Sequence, residues 1–118
     1  MMTVAAIALA LFLQADASAA QDRDMRANAH RGATLIARLG CGACHSIPGI
    51  ANASGIVGPP LDNIAERTFI AGLLPNTQGN MVRWLEAPQS VVPGNAMPNM
   101  ELSDRDAEDI TAYLDTLR

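Results

Sequence analysis

The chain has 118 residues, 49% of them hydrophobic, and this length and composition predict one globular domain. Its formal net charge is −4, and it contains no lysine and no basic stripe. These features exclude a nucleic-acid-binding protein and argue against electrostatic attachment to an anionic membrane surface. One Trp, one Tyr and two Phe are the only aromatic residues, so the peptide has few large apolar side chains with which to fill a core.

The first twenty residues have the pattern of a secretory signal. An apolar run over residues 4–13 is followed by small residues that end in Ala17, Ser18 and Ala19, which is typical of a cleavage site. We therefore expect residues 1–19 to be a signal peptide, the protein to be exported to the periplasm, and one domain to occupy residues 20–118. The alternative is a retained membrane anchor, but the apolar run would make a helix of only about 15 Å against a hydrocarbon core of about 30 Å.

The next part of the chain alternates between a helical pattern and loop signals. A first helix is predicted to end at Leu39, because the apolar stripe stops there and Gly40 follows as a C-cap. Residues 46–60 are rich in Gly, Pro, Ala, Asn and Ser and predict a loop. A short helix is expected over residues 61–67.

A further helix is predicted to begin after a cap at Thr77 or Asn76 and to continue through Leu85. It must end near Ala87, because Pro88 cannot extend it. No period-two alternation of apolar residues marks a β-strand here or elsewhere in the chain.

The C-terminal part predicts a loop followed by a last helix. Residues 91–100 contain two prolines and a glycine and read as an extended loop. Ser103 then caps the last helix, with Asp106 in the capping-box position. Apolar residues recur on one face of this helix, at Ile110, Tyr113, Leu114 and Leu117. The chain is therefore expected to be all-α, with long loops.

Both cysteines fall in one short segment, Cys41-Gly42-Ala43-Cys44-His45. This is the C-x-x-C-H form of a c-type haem attachment site. Two thiols at this spacing can add to the two vinyl groups along one edge of a porphyrin, and the adjacent His45 can place an imidazole nitrogen on the iron. The small residues Gly42 and Ala43 are expected to let the backbone pass close to the macrocycle. The motif therefore predicts one covalently attached haem c with His45 as an iron ligand.

Three other interpretations of the cysteine pair remain open. A thioredoxin-type redox site would require a βαβ setting, whereas the flanks predict a helix before the motif and a loop after it. A structural zinc site requires four ligands, and the only other histidine is His30. A structural disulfide between Cys41 and Cys44 would close a loop too small to constrain the unfolded chain strongly.

The sequence resembles the class I cytochrome c family over essentially all of residues 20–118. Gly32 stands where that family has a glycine at the crossing of its first and last helices, and Tyr113 resembles the aromatic residue that packs there. Residues 58–61, Gly-Pro-Pro-Leu, match the family's G-P-x-L loop, in which a proline carbonyl, here that of Pro59, accepts a hydrogen bond from the ligating histidine. The resemblance implies the cytochrome c fold, with three to four short helices and long loops wrapped around one haem and with the N- and C-terminal helices crossing.

The resemblance also implies roles for three further side chains. Arg67 follows at the family spacing for an arginine near the haem propionates. The stretch from Trp84 to Met97 matches the family's aromatic-Leu to P-G-x-x-M pattern, which makes Met97 the distal iron ligand and sets Trp84 beside it. Met100, which lies just before the last helix, and His30 are the alternative sixth ligands.

The implied function is electron transport. A haem iron with histidine and methionine ligands has no open position for a substrate, and the thioether raises the reduction potential. No catalytic constellation is evident, so we expect the chain itself not to be an enzyme.

The resemblance implies a periplasmic mono-haem cytochrome, a monomer when free, whose partners are redox proteins. These partners would be a terminal oxidase, a dehydrogenase or another respiratory complex, and contact with the membrane would be indirect. The alternatives are the haem subunit of a permanent oxidoreductase complex and, less favoured, a haem enzyme or gas sensor.

Overall fold

The computed structural model describes residues 29–118. The predicted signal peptide and the charged segment before residue 29 lie outside the described residues. In the described part the chain is mostly helical with long loops, which confirms the predicted fold class. The α-helices are α1 (29–39), α2 (Gln78–Glu86), α3 (Pro88–Val91) and α4 (Asp104–Leu114), and two short 3-10 helices cover Cys41–Ala43 and Ile64–Glu66. None of the helices within residues 29–118 is long and apolar enough to cross a membrane.

A small antiparallel hairpin corrects the expectation that the chain has no strand. Strand β1 (Phe69–Ile70) pairs with β2 (Leu74–Pro75), and each strand is too short to show an alternating pattern in the sequence. Ala71 and Gly72 have φ values of 52° and 68°, and this left-handed backbone turns the chain between the strands. The hairpin buries Ile70, whereas Phe69 is exposed.

The two long helices after the hairpin begin at the predicted caps. Thr77 Oγ1 accepts a hydrogen bond of 3.2 Å from the backbone N–H of Asn80, at the start of α2. Ser103 Oγ accepts one of 3.1 Å from the backbone N–H of Asp106, at the start of α4. Each bond satisfies a backbone donor that has no partner within its own helix. The α2 helix ends before Pro88, as predicted, but this proline then opens the additional short helix α3.

The apolar core lies where α2 packs against α4. Three of the four residues on the predicted apolar face of α4 and its extension are buried, and Tyr113 is half-buried. The buried hydrophobic residues are Leu35, Ile36, Ile47, Ile64, Ile70, Met81, Leu85, Ala107, Ile110, Leu114 and Leu117. No Phe or Trp is among these buried residues, so the peptide core is built from medium-sized aliphatic side chains.

The first and last helices cross at Gly32. A Cβ atom at Gly32 would lie 1.9 Å from the carbonyl oxygen of Asp109, so only glycine allows the two backbones to approach this closely. Beside this contact, the Arg31 guanidinium forms ion pairs with Asp106 and with Asp109, which is buried. The Tyr113 hydroxyl, by contrast, donates a hydrogen bond of 2.6 Å to the carbonyl oxygen of Pro48 in the loop after the cysteine motif.

Candidate cofactor site

One cavity of about 440 Å³ brings the predicted site residues together. Its wall is formed mainly by apolar side chains from α1, the hairpin, α2 and α4, and by the loops between them. All seven residues predicted to bind the cofactor line it: Cys41, Cys44, His45, Pro59, Arg67, Trp84 and Met97. A wider concavity of about 990 Å³ between α2 and α4 contains none of these seven. The chemistry indicated by the sequence therefore converges on the smaller, more apolar cavity.

The cysteine motif forms a tight turn directly after α1. Gly40 ends the helix in the left-handed conformation, and the backbone N–H of His45 donates a hydrogen bond of 3.0 Å to the carbonyl of Cys41. Cys41 and Cys44 are half-buried, and neither is in a disulfide. Burial raises the pKa of the Cys41 thiol, whereas a thioredoxin-type nucleophile requires a lowered pKa. The electrostatics of this turn therefore do not favour the thiol-exchange interpretation.

The zinc interpretation has no support in the part of the chain that the structure describes. Within residues 29–118, no group of three or more His, Cys, Asp or Glu side chains is arranged to hold a metal ion. The side chain of His30 is exposed on α1, and His30 is not among the residues that line the cavity.

A second loop lies along the cysteine motif and is joined to it by main-chain hydrogen bonds. We call residues 41–46 and 55–61 together the motif wall. The bonds run from Gly55 N to Gly42 O (3.0 Å), from Gly58 N to Cys44 O (2.7 Å) and from Leu61 N to Ser46 O (2.8 Å). Because each of these three bonds joins backbone to backbone, they do not depend on the identity of the side chains in the wall.

His45 is oriented by the backbone of the opposite strand of the motif wall. Its Nδ1 lies 2.7 Å from the carbonyl oxygen of Pro59. A carbonyl can only accept, so Nδ1 carries the proton and donates, which leaves Nε2 as the ring nitrogen with a free lone pair. A Cβ atom at Gly58 would lie 2.3 Å from His45 Cε1, so the loop can pass over the ring only because this residue is glycine.

Gly42 has a different neighbour from the one expected for a residue of the motif. The sequence interpretation assigns its small size to close passage of the backbone along the macrocycle. In the structure, a Cβ atom at Gly42 would lie 2.6 Å from Cα of Ala53. The missing side chain therefore makes room for the loop that follows the motif.

Arg67 lines the cavity and holds the motif wall. Its Nη2 donates hydrogen bonds to the backbone carbonyls of Pro60 and Asp62, the latter at 3.1 Å. These bonds tie the hairpin entrance to the G-P-x-L loop. They also bring a cation to the cavity, where it can offset the negative charge of a carboxylate.

Another part of the cavity wall is formed by Trp84 on α2 and by the loop of residues 92–100, which we call the methionine loop. Met97 is half-buried and packs against the core, whereas Met100 is 36% exposed. Both residues line the cavity, so both remain candidates for the distal ligand. Burial and core packing favour Met97 as the residue with a defined position.

Two amide side chains at this loop were missed by sequence reasoning. The backbone N–H of Met97 donates a hydrogen bond of 2.8 Å to Asn95 Oδ1, and Asn95 Nδ2 donates one of 2.7 Å to the carbonyl of Val92. Gln89 Nε2, on α3, donates to the carbonyl of Met97. An asparagine two residues before the methionine is a typical signal for such a local turn, and this signal could have identified Asn95.

Comparison with known proteins assigns the chain to a family. A family model described as Cytochrome c matches residues 29–118. This chain belongs to the cytochrome c family. It is 36% identical over 91 residues to cytochrome c oxidase subunit 2 of Alkalihalophilus pseudofirmus, covering 76% of this chain and 26% of the relative. It is 32% identical over 94 residues to cytochrome c oxidase subunit 2 of Bacillus subtilis, covering the same shares. This cytochrome spans about a quarter of the length of the curated relatives that it matches. No solved structure matches it.

The cavity fits the haem that this family binds. Two half-buried thiols and an imidazole with a free ring nitrogen line the cavity, and the thioether side chain of Met97 lines the same cavity. The remaining lining is mainly apolar, as a porphyrin face requires. As a member of the family, this class I c-type cytochrome is a haem-binding electron-transport protein.

Proposed function

We propose that this cytochrome carries one haem c, attached through Cys41 and Cys44 with His45 and Met97 as axial ligands, and transfers single electrons between respiratory redox proteins. The observation that carries the proposal is that these four side chains line one apolar cavity. When bound, haem iron with these ligands supplies reversible one-electron transfer. We propose no enzymatic role for the chain itself.

The residues of the cavity have separate tasks in this proposal. The bond from His45 to Pro59 fixes the ring and its tautomer, so that Nε2 is available as a ligand. The apolar lining excludes water and limits the reorganisation that accompanies a change of charge. Arg67 supplies the positive charge that offsets the propionates, while its backbone bonds keep it at the cavity edge.

We further propose that the protein is exported to the periplasm and, in its free form, is a monomer. The signal pattern of residues 1–19 supports export. Cell fractionation tests the proposal: the haem-stained protein is expected in the periplasmic fraction, and recovery in the cytoplasmic fraction would contradict it.

A terminal oxidase is the first partner that we propose, because the relatives are named as oxidase subunits. Docking would use an apolar surface at the cavity mouth. Ile56 and Val57 are 94% and 74% exposed, and Val57 and Met100 also line the cavity. The chain has no lysine and a net charge of −4, so it cannot form a strongly positive docking face.

The salt dependence of electron transfer tests this docking mode. Steered association falls steeply with ionic strength, whereas apolar contacts tolerate salt. We expect the rate with a terminal oxidase to change by less than about tenfold between low and moderate salt. Ile56→Ser, a change at the exposed patch that does not touch the cavity lining, is expected to lower the rate at both salt concentrations. A larger fall with salt and no effect of Ile56→Ser would contradict apolar docking.

Paired methionine variants test the ligand assignment. Met97→Ala is expected to lower the reduction potential, to abolish the weak far-red charge-transfer band of ferric iron bound to methionine sulfur, and to let carbon monoxide bind the reduced protein. Met100→Ala is the matched control: it removes a partly exposed side chain from the same loop, and we expect it to leave the band in place. The reverse result would assign the ligand to Met100. If neither variant alters the band, the sixth ligand is not methionine.

The comparisons favour a second candidate, the haem subunit of a permanent oxidoreductase complex. The matching relatives are parts of an oxidase, and this chain corresponds to only a quarter of each. Gel filtration and affinity purification from the native membrane distinguish the two. A free carrier elutes as a monomer and is released by washing, whereas a subunit co-purifies in fixed proportion with the other chains of its complex.

A further inference from the structure

Two amide side chains, those of Asn95 and Gln89, hold the backbone of Met97 by hydrogen bonds, and we call this pair the clasp. Asn95 bridges both ends of a short turn, because its Oδ1 accepts from Met97 N (2.8 Å) and its Nδ2 donates to Val92 O (2.7 Å). The backbone N–H of Asn95 donates to the same carbonyl at 3.2 Å. The carbonyl of Val92 therefore receives two bonds from one residue, which closes the turn tightly.

Gln89 holds the other backbone group of the same residue. Its Nε2 donates to the carbonyl of Met97, from α3. Met97 is followed by Pro98, which has no N–H, so the peptide group after Met97 offers only this carbonyl. Two amide side chains thus take up the backbone donor and the backbone acceptor of Met97, the proposed distal ligand.

The rest of the methionine loop has no regular secondary structure to hold its backbone. The described structure gives residues 92–100 no helix or strand, and α3, which carries Gln89, has four residues. Local amide bonds of this kind fix a backbone that has no ladder of its own. Loss of the clasp should therefore release the backbone of Met97 before it disturbs the core.

We propose that Asn95 and Gln89 are positioning residues that set how readily Met97 leaves the haem iron. The inference rests on the proposed ligand role of Met97. Neither amide is itself a ligand; both act through the backbone on either side of the methionine. The clasp lowers the population of an open form in which the sulfur is withdrawn and an external ligand can bind.

Competition with imidazole measures this open population directly. Imidazole binds ferric iron only when Met97 is displaced, so its apparent dissociation constant is the intrinsic one divided by the open fraction. Loss of one hydrogen bond should raise the open fraction about fivefold. The titration is followed by loss of the far-red band in the full-length, haem-loaded protein, and the thermal midpoint is measured in parallel.

Variants that remove different hydrogen bonds of the clasp should differ in their apparent affinity for imidazole. Gln89→Ala removes one bond and is expected to tighten apparent imidazole binding about fivefold, and Asn95→Ala, which removes two, should have a larger effect. Asn95→Asp keeps the acceptor for Met97 N but replaces the donor to Val92 with an anionic oxygen that repels the Val92 carbonyl, so it should also raise the open fraction. This conservative variant also keeps the test valid if Asn95→Ala does not retain haem.

Asn99→Ala is the matched control, because it removes a similar turn from the same loop without touching Met97. Asn99 Oδ1 accepts a hydrogen bond of 2.8 Å from Glu101 N. We expect this variant to change imidazole affinity less than about twofold, whatever its effect on the thermal midpoint. Equal effects of Asn95→Ala and Asn99→Ala, or none from Gln89→Ala and Asn95→Asp, would overturn the clasp.

Met97→Ala separates this result from failure of the proposed function. If the far-red band survives Met97→Ala, the ligand assignment itself is wrong. If the band depends on Met97 but imidazole binding is the same in the wild type, Gln89→Ala and Asn95→Ala, only the positioning role is wrong. A graded response, with the band dependent on Met97, supports both.

Discussion

The two sides of the cavity are held by different kinds of bond. In the motif wall, backbone donors meet backbone acceptors over residues 42–46 and 55–61. In the methionine loop, the corresponding work is done by the amide side chains of Gln89 and Asn95. The motif wall therefore depends on small residues that allow backbones to approach, and the methionine loop depends on the identity of two polar side chains. Substitution of a small residue in the motif wall should cause a steric clash, whereas substitution of Gln89 or Asn95 should remove individual hydrogen bonds from the methionine loop.

The largest expected effect comes from preventing the covalent attachment of the haem that is proposed to fill the cavity between the two sides. Cys41→Ala combined with Cys44→Ala prevents covalent attachment, and the buried peptide core consists mainly of medium-sized aliphatic side chains, with no Phe or Trp. We expect the haem-free chain to be largely unfolded, because a small domain without its central group buries too little surface. Far-ultraviolet circular dichroism with thermal melting provides the measurement, with the haem-loaded wild type as the control. A cooperative melt from native-like helicity would show that the two walls assemble by themselves.

A single methyl group tests the shape of the motif wall. Gly58→Ala would put a Cβ atom 2.3 Å from the His45 ring, so we expect it to lower the free energy of unfolding by about 1–3 kcal/mol and to disturb the ring orientation. Gly79→Ala is the control: nothing lies within 4 Å of a Cβ atom there, and alanine in α2 should be neutral or stabilising by about 0.5–1 kcal/mol. Denaturant unfolding of the haem-loaded variants checks both. Equal stability of the two variants would mean that the wall yields more easily than its contacts indicate.

The smallest expected effect on the cofactor site comes from a change away from the cavity, at the crossing of α1 and α4. Arg31 lowers the pKa of Asp106 below the ordinary aspartate value, chiefly through its side-chain hydrogen bond. A carboxyl group whose folded pKa is lowered contributes stability that is present above its unfolded pKa, about 3.9, and is lost as the pH falls through the folded value. Arg31→Ala should therefore lower the free energy of unfolding at neutral pH and flatten its decline below about pH 4.

Arg31→Ala distinguishes a local effect on the methionine loop from a general loss of stability, because it removes side-chain bonds that do not touch the cavity. The far-red band and the affinity for imidazole should stay unchanged in Arg31→Ala. Arg118→Ala breaks an exposed pair with Asp115 and should alter neither stability nor its pH dependence measurably. A shift in imidazole affinity from Arg31→Ala would indicate that the methionine loop responds to global stability as well as to its own clasp.

The parts of the fold that were predictable from sequence are those with a local cause. Thr77 and Ser103 mark helix starts because a short polar side chain satisfies an adjacent backbone donor. The C-x-x-C-H motif indicates the attachment site by its own spacing, whereas the bond between His45 and the G-P-x-L loop was implied by the family resemblance and is present in the structure. The distal choice between Met97 and Met100 followed from a family pattern, since nothing in a methionine's own sequence neighbourhood shows which sulfur is buried.

The parts that were not predictable depend on distant contacts or on very short elements. The hairpin at residues 69–75 has two residues per strand, so it has no period to detect. Gly42 was assigned to the macrocycle because its neighbour Ala53 is eleven residues away and is brought close only by folding. Gln89 contacts Met97 because it lies on α3. This short helix was not predicted, because Pro88 at its start was interpreted only as the end of α2.

The crossing at Gly32 also has a consequence for the order in which the chain assembles. Arg31 and Asp109 are 78 positions apart, and Tyr113 and Pro48 are 65 apart, so these contacts close long segments of chain before they yield stabilisation. The inner face of α1 meets α4 at Gly32, so neither helix should persist without the other. We therefore expect the backbone amides of α1 and α4 to exchange with solvent deuterium at one common rate, as a single cooperative unit that opens only when the whole domain unfolds.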